Sequence, residues 1–532
     1  MSQRYIDGSP ILMGDATTPG LPLPPELKKI IPRIFKECTD FGLDFFPTCI
    51  HMLTYDEISE IASYNGFPVR YPHWKWGMEY EGMQHRFLHG GGKIFEMVVN
   101  TNPSHIYCLD SNPLVDHVTV IVHAQGHNHF FKNNVFFSQT NRNMLNEFAN
   151  HGSRIRKYMS RWGKERVTQF LDYVLRLETL IDPAKAWEEK KYVPHQIFDK
   201  REVEHPSRLK IREGHDYMDD YINPKEWTKK QQKAIYKREV EKEIGLFKEP
   251  TKDVLGFLRD HAPLKPWQQD IISMIWEESI YFAPQRQTKT INEGFASYTD
   301  FNIMCKRGLC GLGQASDDCG IVDYAMNHVA VMGGKYSMNP YNLGFSLLTD
   351  IEDRWNKGKF GPEYDECKDM KVKEEWNLNL GLGKDKVFEV CRDNNDFTLL
   401  LEYFTPEFCR KNEFFEWKKY PNGEYRIEED DPKKIKAKLI KKHLNGGLPE
   451  IRLVDPNHRG QGFLMLEHIY DGRTLHIPYV RPVMQAINHI WKKNVLLVTK
   501  DSNGDELVYH CFGDEDKTFG EYSGEDYRKL LG

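Results

Sequence analysis

The chain has 532 residues, 40% of them hydrophobic and 13% aromatic. That is enough to bury a sizeable interior, which excludes a disordered chain and points to roughly two to four domains. Its 72 basic and 78 acidic residues leave a net charge of −6, so no long nucleic-acid-binding surface is implied. No run of about 18 apolar residues occurs, so no membrane span is expected.

Residues 1–54 read as an N-terminal arm and helix. The polar, Pro-rich start has no basic segment leading into an apolar one, and no signal peptide is expected. Pro24-Pro25 opens "ELKKIIPRIFKECTDFGL", a predicted helix broken at Pro32. In "TYDEISEIASYNGF", Thr54 and Glu57 stand in capping-box spacing. "IFEMVVN" and "HIYCL" read as short strands separated by the turn residues "NTNPS". The pattern is helical from Pro113 to Leu180. Residues 182–250 are highly charged with both signs interleaved, the mark of a solvated insert or linker. Helical periodicity returns at "DVLGFLRDHAPLKPWQQDIISMIWEESIYFAPQ", where Pro284 is expected to end a helix. It continues through "TKTINEGFASYTDFNIMCK" to about Trp355. Residues 55–385 are thus predicted to form an α-rich core. Residues 386–532, with "EIRLVD", "RTLHIPYV" and "NVLLVTKDSNGDELVYHCFGD", are predicted to form a separate mixed or β-rich domain. The fold class expected is α+β: a mainly α-helical core, a few short strands and a smaller β-rich C-terminal module. The ten cysteines have irregular spacings and no CxxC pair. They read as reduced thiols of a cytoplasmic protein, not as a disulfide framework or a zinc ribbon.

The stretch "IVHAQGHNHFFKNN" carries the sharpest chemical signal. On a helix His123 and His127 share a face one turn apart, the arrangement in which two imidazoles hold one metal ion. About one such pair is expected by chance in a chain this rich in histidine, and a buried helix with hydrogen-bonded histidines is the plain alternative. The string "NEGFA" around Glu293 adds weight. In gluzincin aminopeptidases a Glu in such a string, on a later helix, is the third zinc ligand beside HExxH. The spacing here is far longer, so the likeness is one of geometry, not descent. Two His and one Glu leave a fourth position open. The Glu that follows the first His in HExxH is the proton acceptor; here that residue is Ala124, so a base must come from another segment. Glu278 is the first candidate and Glu277 the second. Asp300, seven residues after Glu293, is a further candidate ligand or base. His328 in "DYAMNHVAVMGG" is a candidate substrate-pocket residue. "FLHGGGKIFE" and "DPNHRGQG" read as ordinary loop and turn.

Several long stretches together resemble the stage V sporulation protein R (SpoVR-like) family. They are "HWKWGMEYE", "FEMVVNTNPSHIYCLDSN", "HAQGHNHFFKNN", "HAPLKPWQQDIISMIWEESIYFAPQ", "TKTINEGFASY", "NPYNLGFSLLTDIEDRW" and "VFEVCRDNNDFTLLLEYFTPEF". They occur in the family's order between about Tyr55 and Thr499. The resemblance implies a cytoplasmic protein linked to spore cortex formation, stress or envelope remodelling. It also implies the company of a PrkA-type serine kinase and a protein with a von Willebrand factor A-like domain. It does not imply a reaction. The chain departs from the family's NEGWASYWH pattern: it reads "NEGFASYTD", with Asp300 in place of a His and Phe295 in place of a Trp.

Three functional classes follow from these residues. The first is a metal-dependent hydrolase of an amide or peptide-type bond, with His123, His127 and Glu293 as ligands and zinc as the favoured metal. The second keeps the ligands and replaces zinc by non-haem iron. The third is a regulatory scaffold for the kinase and its partner, with structural histidines, which Ala124 favours.

Overall fold

The computed structural model describes residues 11–13, 21–88, 96–188, 250–311, 317–334, 338–458, 460–513 and 518–531. Most of the 182–250 insert, the start of the N-terminal arm and the glycines of "FLHGGGKIFE" lie outside them. The fold is α+β. In chain order the elements that matter here are β1 (Ile11–Met13), α1 (Pro25–Asp40), β2 (Thr48–Leu53), α2 (Tyr55–Ser63), β3 (Glu96–Val99), β4 (Ser104–Leu109), α3 (Leu114–Asn133), α4 (Lys164–Leu175), α5 (Val254–His261), α6 (Pro266–Gln287), α7 (Lys289–Phe301), α8 (Asp317–Met332), α9 (Pro340–Lys357), α10 (Gly383–Asp393) and α11 (Asp396–Tyr403). A β5–β6 hairpin (Glu416–Lys419, Tyr425–Glu429) and α12 (Pro432–His443) follow. The chain then runs through β7 (Ile451–His458), β8 (Phe463–His468), α13 (Ile477–Trp491), β9 (Val495–Lys500), β10 (Glu506–Phe512) and β11 (Thr518–Ser523).

The chain divides into two compact units, and neither is continuous in sequence. One comprises residues 1–161 and 281–447, the other 162–280 and 448–532. Helices α10 to α12 therefore belong with the first unit, and the β-rich tail shares its unit with α4 and α5. In that second unit the sheet has the order β11-β10-β9-β8-β7. Its pairs are antiparallel except β8 with β9, which α13 joins as a crossover. Thr251 bridges Leu453 on β7, tying the segment before α5 to the edge of this sheet.

The first unit is built around α3. A surface helix has one apolar stripe, but α3 is buried on every side from Val118 through Phe131 apart from Thr119. The sheet β1-β2-β4-β3 covers one side. Ile50 and Met52 of β2 and Ile106 and Cys108 of β4 join Val118, Ile121 and Val122 of α3 in one core. Gln125 and Asn128 tie the helix to the sheet through Thr48. Alternation along a strand sends next neighbours to opposite faces. Tyr107 and Leu109 accordingly face a smaller core with Leu53, Ile58 and Phe148.

Two helix predictions are corrected. Pro32 lies inside α1, and Pro284 lies inside α6. In α1 the missing amide is outweighed by a stripe of Leu27, Ile31, Ile34, Phe35 and Cys38, all essentially inaccessible. The break expected at Pro284 falls at Thr288, whose hydroxyl donates to the Pro284 carbonyl. The capping box of α2 is formed as expected, with Thr54 and Glu57 each accepting from the other's backbone amide.

Helix α7 lies between α3 and α9 at the distance only small residues allow. A Cβ on Gly126 of α3 would stand 2.9 Å from the Ala296 Cα. A Cβ on Gly294 of α7 would stand 2.4 Å from the Gly344 carbonyl carbon of α9. The obstacle at Gly294 is backbone, which cannot turn aside. Gly294→Ala is expected to destabilise the protein by about 2–3 kcal/mol, read as a lower urea midpoint with an unchanged slope. A variant as stable as the parent would refute this packing.

Candidate metal centre

Helices α3 and α7 run antiparallel, with His123 opposite Asp300, Gly126 opposite Ala296 and His127 opposite Asn292. The start of α7 is held from elsewhere in the unit. The buried carboxylate of Asp396, the first residue of α11, accepts from the backbone amides of Thr290 and Ile291. Negative charge at a helix N-terminus also meets the favourable end of its dipole.

Each imidazole is oriented by an oxygen acceptor on its Nδ1. His123 Nδ1 bonds Asp300 Oδ2 at 2.8 Å, and His127 Nδ1 bonds Asn292 Oδ1 at 3.0 Å. With Nδ1 tied to these oxygens, Nε2 is the ring nitrogen that each histidine would offer to a bound ion. Both Nε2 atoms face Glu293, whose Oε2 lies 3.7 Å from that of His123 and 3.4 Å from that of His127. A second carboxylate arrives from the sheet, with Glu96 Oε1 3.7 Å from His123 Nε2. Glu96 pairs with Cys108 and Val98 with Ile106. Cys108 and Ile106 face α3, so alternation along β3 sends Glu96 to the same side.

Glu96, His123 and His127 each offer a donor atom within 4.8 Å of the others. A tetrahedral ion with arms of about 2.0–2.1 Å sets its donors roughly 3.3 Å apart, close to the 3.4–3.7 Å that separate the two Nε2 atoms from the carboxylate oxygens. Glu96 Oε2 and Glu293 Oε2 are buried and accept no hydrogen bond, a costly arrangement unless a cation meets them. The local electrostatics ask for positive charge at the same point. Burial disfavours the charged form of His123, yet Glu96, Asp300 and Glu293 outweigh it and hold its pKa well above the ordinary value. Burial likewise opposes ionisation of Glu293, and the His123 and His127 rings overcome it, holding its pKa below the usual carboxylate range. Glu96 is pushed up, chiefly by burial. A divalent cation therefore fits this donor set.

Of the residues expected from sequence, His123, His127, Glu293 and Asp300 are brought together here. Asp300 meets the ring nitrogen of His123 that faces away from Glu293, the place of an orienting carboxylate. His328 stands beyond Asp300, its Nδ1 3.9 Å from Asp300 Oδ1. Glu277 and Glu278 belong to the other compact unit. Glu277 is exposed and Glu278 is buried. His129 is structural: its Nδ1 accepts from the Asp44 amide, and burial lowers its pKa to about 4.

Sequence reasoning missed Glu96, Asn292 and Tyr341. Glu96 had one visible signal, an acid at the head of an otherwise apolar strand. The Tyr341 ring lies 6.3 Å from that of His123. Burial and the neighbouring Glu293 and Glu96 carboxylates push its hydroxyl pKa up.

Residues 23–448 match the family described as SpoVR like protein, and residues 449–502 match the SpoVR-like C-terminal domain. The chain belongs to the SpoVR-like family. Its similarity to a protein of Escherichia coli (strain K12) named "Uncharacterized protein YcgB" is 26% identity over 501 residues, spanning 88% of this chain and 91% of that one. No solved structure matches the chain. The boundary between the two SpoVR-like segments coincides with the return of the chain to the second unit at Leu448. Among the described residues no helix is long and apolar enough to cross a membrane.

Binding to the folded state alone stabilises it by about 2.7 kcal/mol at a hundredfold excess over Kd. Zinc added to chelator-treated SpoVR-like protein without a histidine tag is therefore expected to raise its melting temperature. The shift should vanish in His123→Gln and His127→Gln. An equal shift in those variants would place the ion elsewhere.

Proposed function

We propose that this protein is a metal-dependent hydrolase of an amide or peptide-type bond. His123, His127 and Glu293 hold a divalent ion, with zinc preferred. The reading rests on one observation: both Nε2 atoms converge on the single oxygen Glu293 Oε2, while both Nδ1 atoms are tied off. A bound divalent ion would supply the Lewis acidity that makes water nucleophilic near neutral pH. Glu96 then offers what Ala124 cannot. It is a carboxylate on the Nε2 side of His123, its pKa pushed up chiefly by burial, and it would serve as the general base. The Tyr341 hydroxyl, whose pKa burial and the Glu293 and Glu96 carboxylates push up, would hold a polar group of the substrate. The family resemblance supplies the setting: a cytoplasmic role in cortex formation, stress or envelope remodelling, beside a PrkA-type kinase and a von Willebrand factor A-like partner. Peptidoglycan-type amides are therefore the first substrates to try.

A second reading is favoured by the presence of two carboxylates. If Glu96 is itself a ligand, the harder N2O2 set suits non-haem iron. Glu96→Gln separates the two. As base, its loss lowers turnover by about 10²–10⁴-fold with metal content intact; as ligand, its loss removes metal. Glu278→Gln, measured beside it on a panel of amide and peptide substrates including peptidoglycan fragments, tests the other base candidate. A metal-loaded protein that cleaves none of these substrates would sink the hydrolase reading.

A further inference from the structure

Beyond Asp300 a line of hydrogen bonds continues away from the centre. The Tyr324 hydroxyl donates to Asp300 Oδ1 at 2.7 Å, the oxygen that His123 does not use. Having given its one hydrogen there, the hydroxyl oxygen can accept, and His328 Nδ1 lies 3.3 Å from it. The His328 ring is fixed between Phe301 and Phe345, with centroids 5.6 and 5.2 Å away. Tyr324 and His328 are one turn apart on α8, so one helix presents both. Tyr324 is 2% exposed and the Asp300 side chain 8%. A carboxylate buried this deeply, with one oxygen toward the imidazole and the other toward a phenol, has a single orientation that satisfies both.

We propose that Tyr324 and His328 are positioning residues of the metal centre. They lock the Asp300 carboxylate so that its free oxygen fixes the ring of His123 and aims Nε2 at the ion. The inference rests on the metal-site reading above and extends it to α8, whose outer face is not part of the centre. It also gives the His328 side chain a role that does not require it to touch substrate. Partners of this kind, one bond removed from the ligands, typically carry about 10–100-fold in metal affinity.

The test uses the full-length chain and Co2+ alone, read by its visible absorption and by competition with a chromophoric chelator. Tyr324→Phe keeps the ring and removes only the donor. It is expected to weaken Co2+ binding about 10-fold and to shift the absorption bands. In an Asp300→Asn background the same change should cost nothing further, because Tyr324 acts through that carboxylate. His328→Leu should weaken binding when Tyr324 is present and have no effect in Tyr324→Phe. Losses that simply add across these pairs, or no loss in Tyr324→Phe, would overturn the proposal. A readout independent of the metal separates this failure from failure of the site itself. In metal-free protein the hydrogen-bonded Nδ1–H of His123 should appear as a downfield, slowly exchanging proton resonance, absent in His123→Gln. It should move upfield and exchange faster in Tyr324→Phe. If the parent binds no Co2+ but this resonance responds, the positioning line stands and the metal reading falls; an unresponsive resonance removes the line.

Discussion

Everything at the centre depends on how closely α3 and α7 approach. Glycine at 126 against Ala296, and glycine at 294 against Gly344, bring three helices together at near-backbone contact. Only at that separation can side chains as short as Asp300 and Asn292 reach across to the imidazoles. The same approach excludes water from the polar groups between the helices, so each hydrogen bond there acts in a low dielectric and each missing partner is costly. The apolar core supplies the force that closes the gap. The glycines decide how far it closes.

The polar groups follow a consistent division. Nδ1 of each histidine is used for orientation, while Nε2 of each is directed toward carboxylates. Asp300 and Asn292 reach the rings from one helix, α7, which also carries Glu293. A small rotation of α7 would therefore move two orienting groups and one donor together. The buried Asp396 carboxylate on the first amides of α7 opposes such a rotation. So does the fit of Gly294 against α9. The centre is rigid because its anchors sit on rigid elements, not because any one bond is strong.

Much of this was legible in the residues. A spacing of four between His123 and His127 places two imidazoles on one helical face whatever the tertiary fold. The string around Glu293 pointed to the partner helix, and the seven-residue step to Asp300 kept it on the same face. Glu96 was not legible as a partner, because its place beside His123 depends on strand pairing and on which face of the sheet α3 covers. Neither property is local. Pro32 and Pro284 were misread for the opposite reason: a local rule was applied where burial of the neighbouring apolar residues outweighed it. The β-rich tail was visible from its strand patterns, but its companionship with residues 162–280 was not, since nothing in either segment names the other.

That interleaving has a consequence for how the chain is made. Translation delivers residues in order, yet the first unit waits for residues 281–447 and the second for residues 448–532. When His127 leaves the ribosome, the helix bearing Glu293 is still more than 150 residues from being synthesised. The carboxylate that anchors that helix follows a further hundred residues later. At synthesis rates of about 5–20 residues per second, the helix bearing both histidines exists for many seconds before the helix that packs on its Gly126 face has been made. The centre is therefore complete only once the helix bearing Glu293 and the segment bearing Asp396 have both been made.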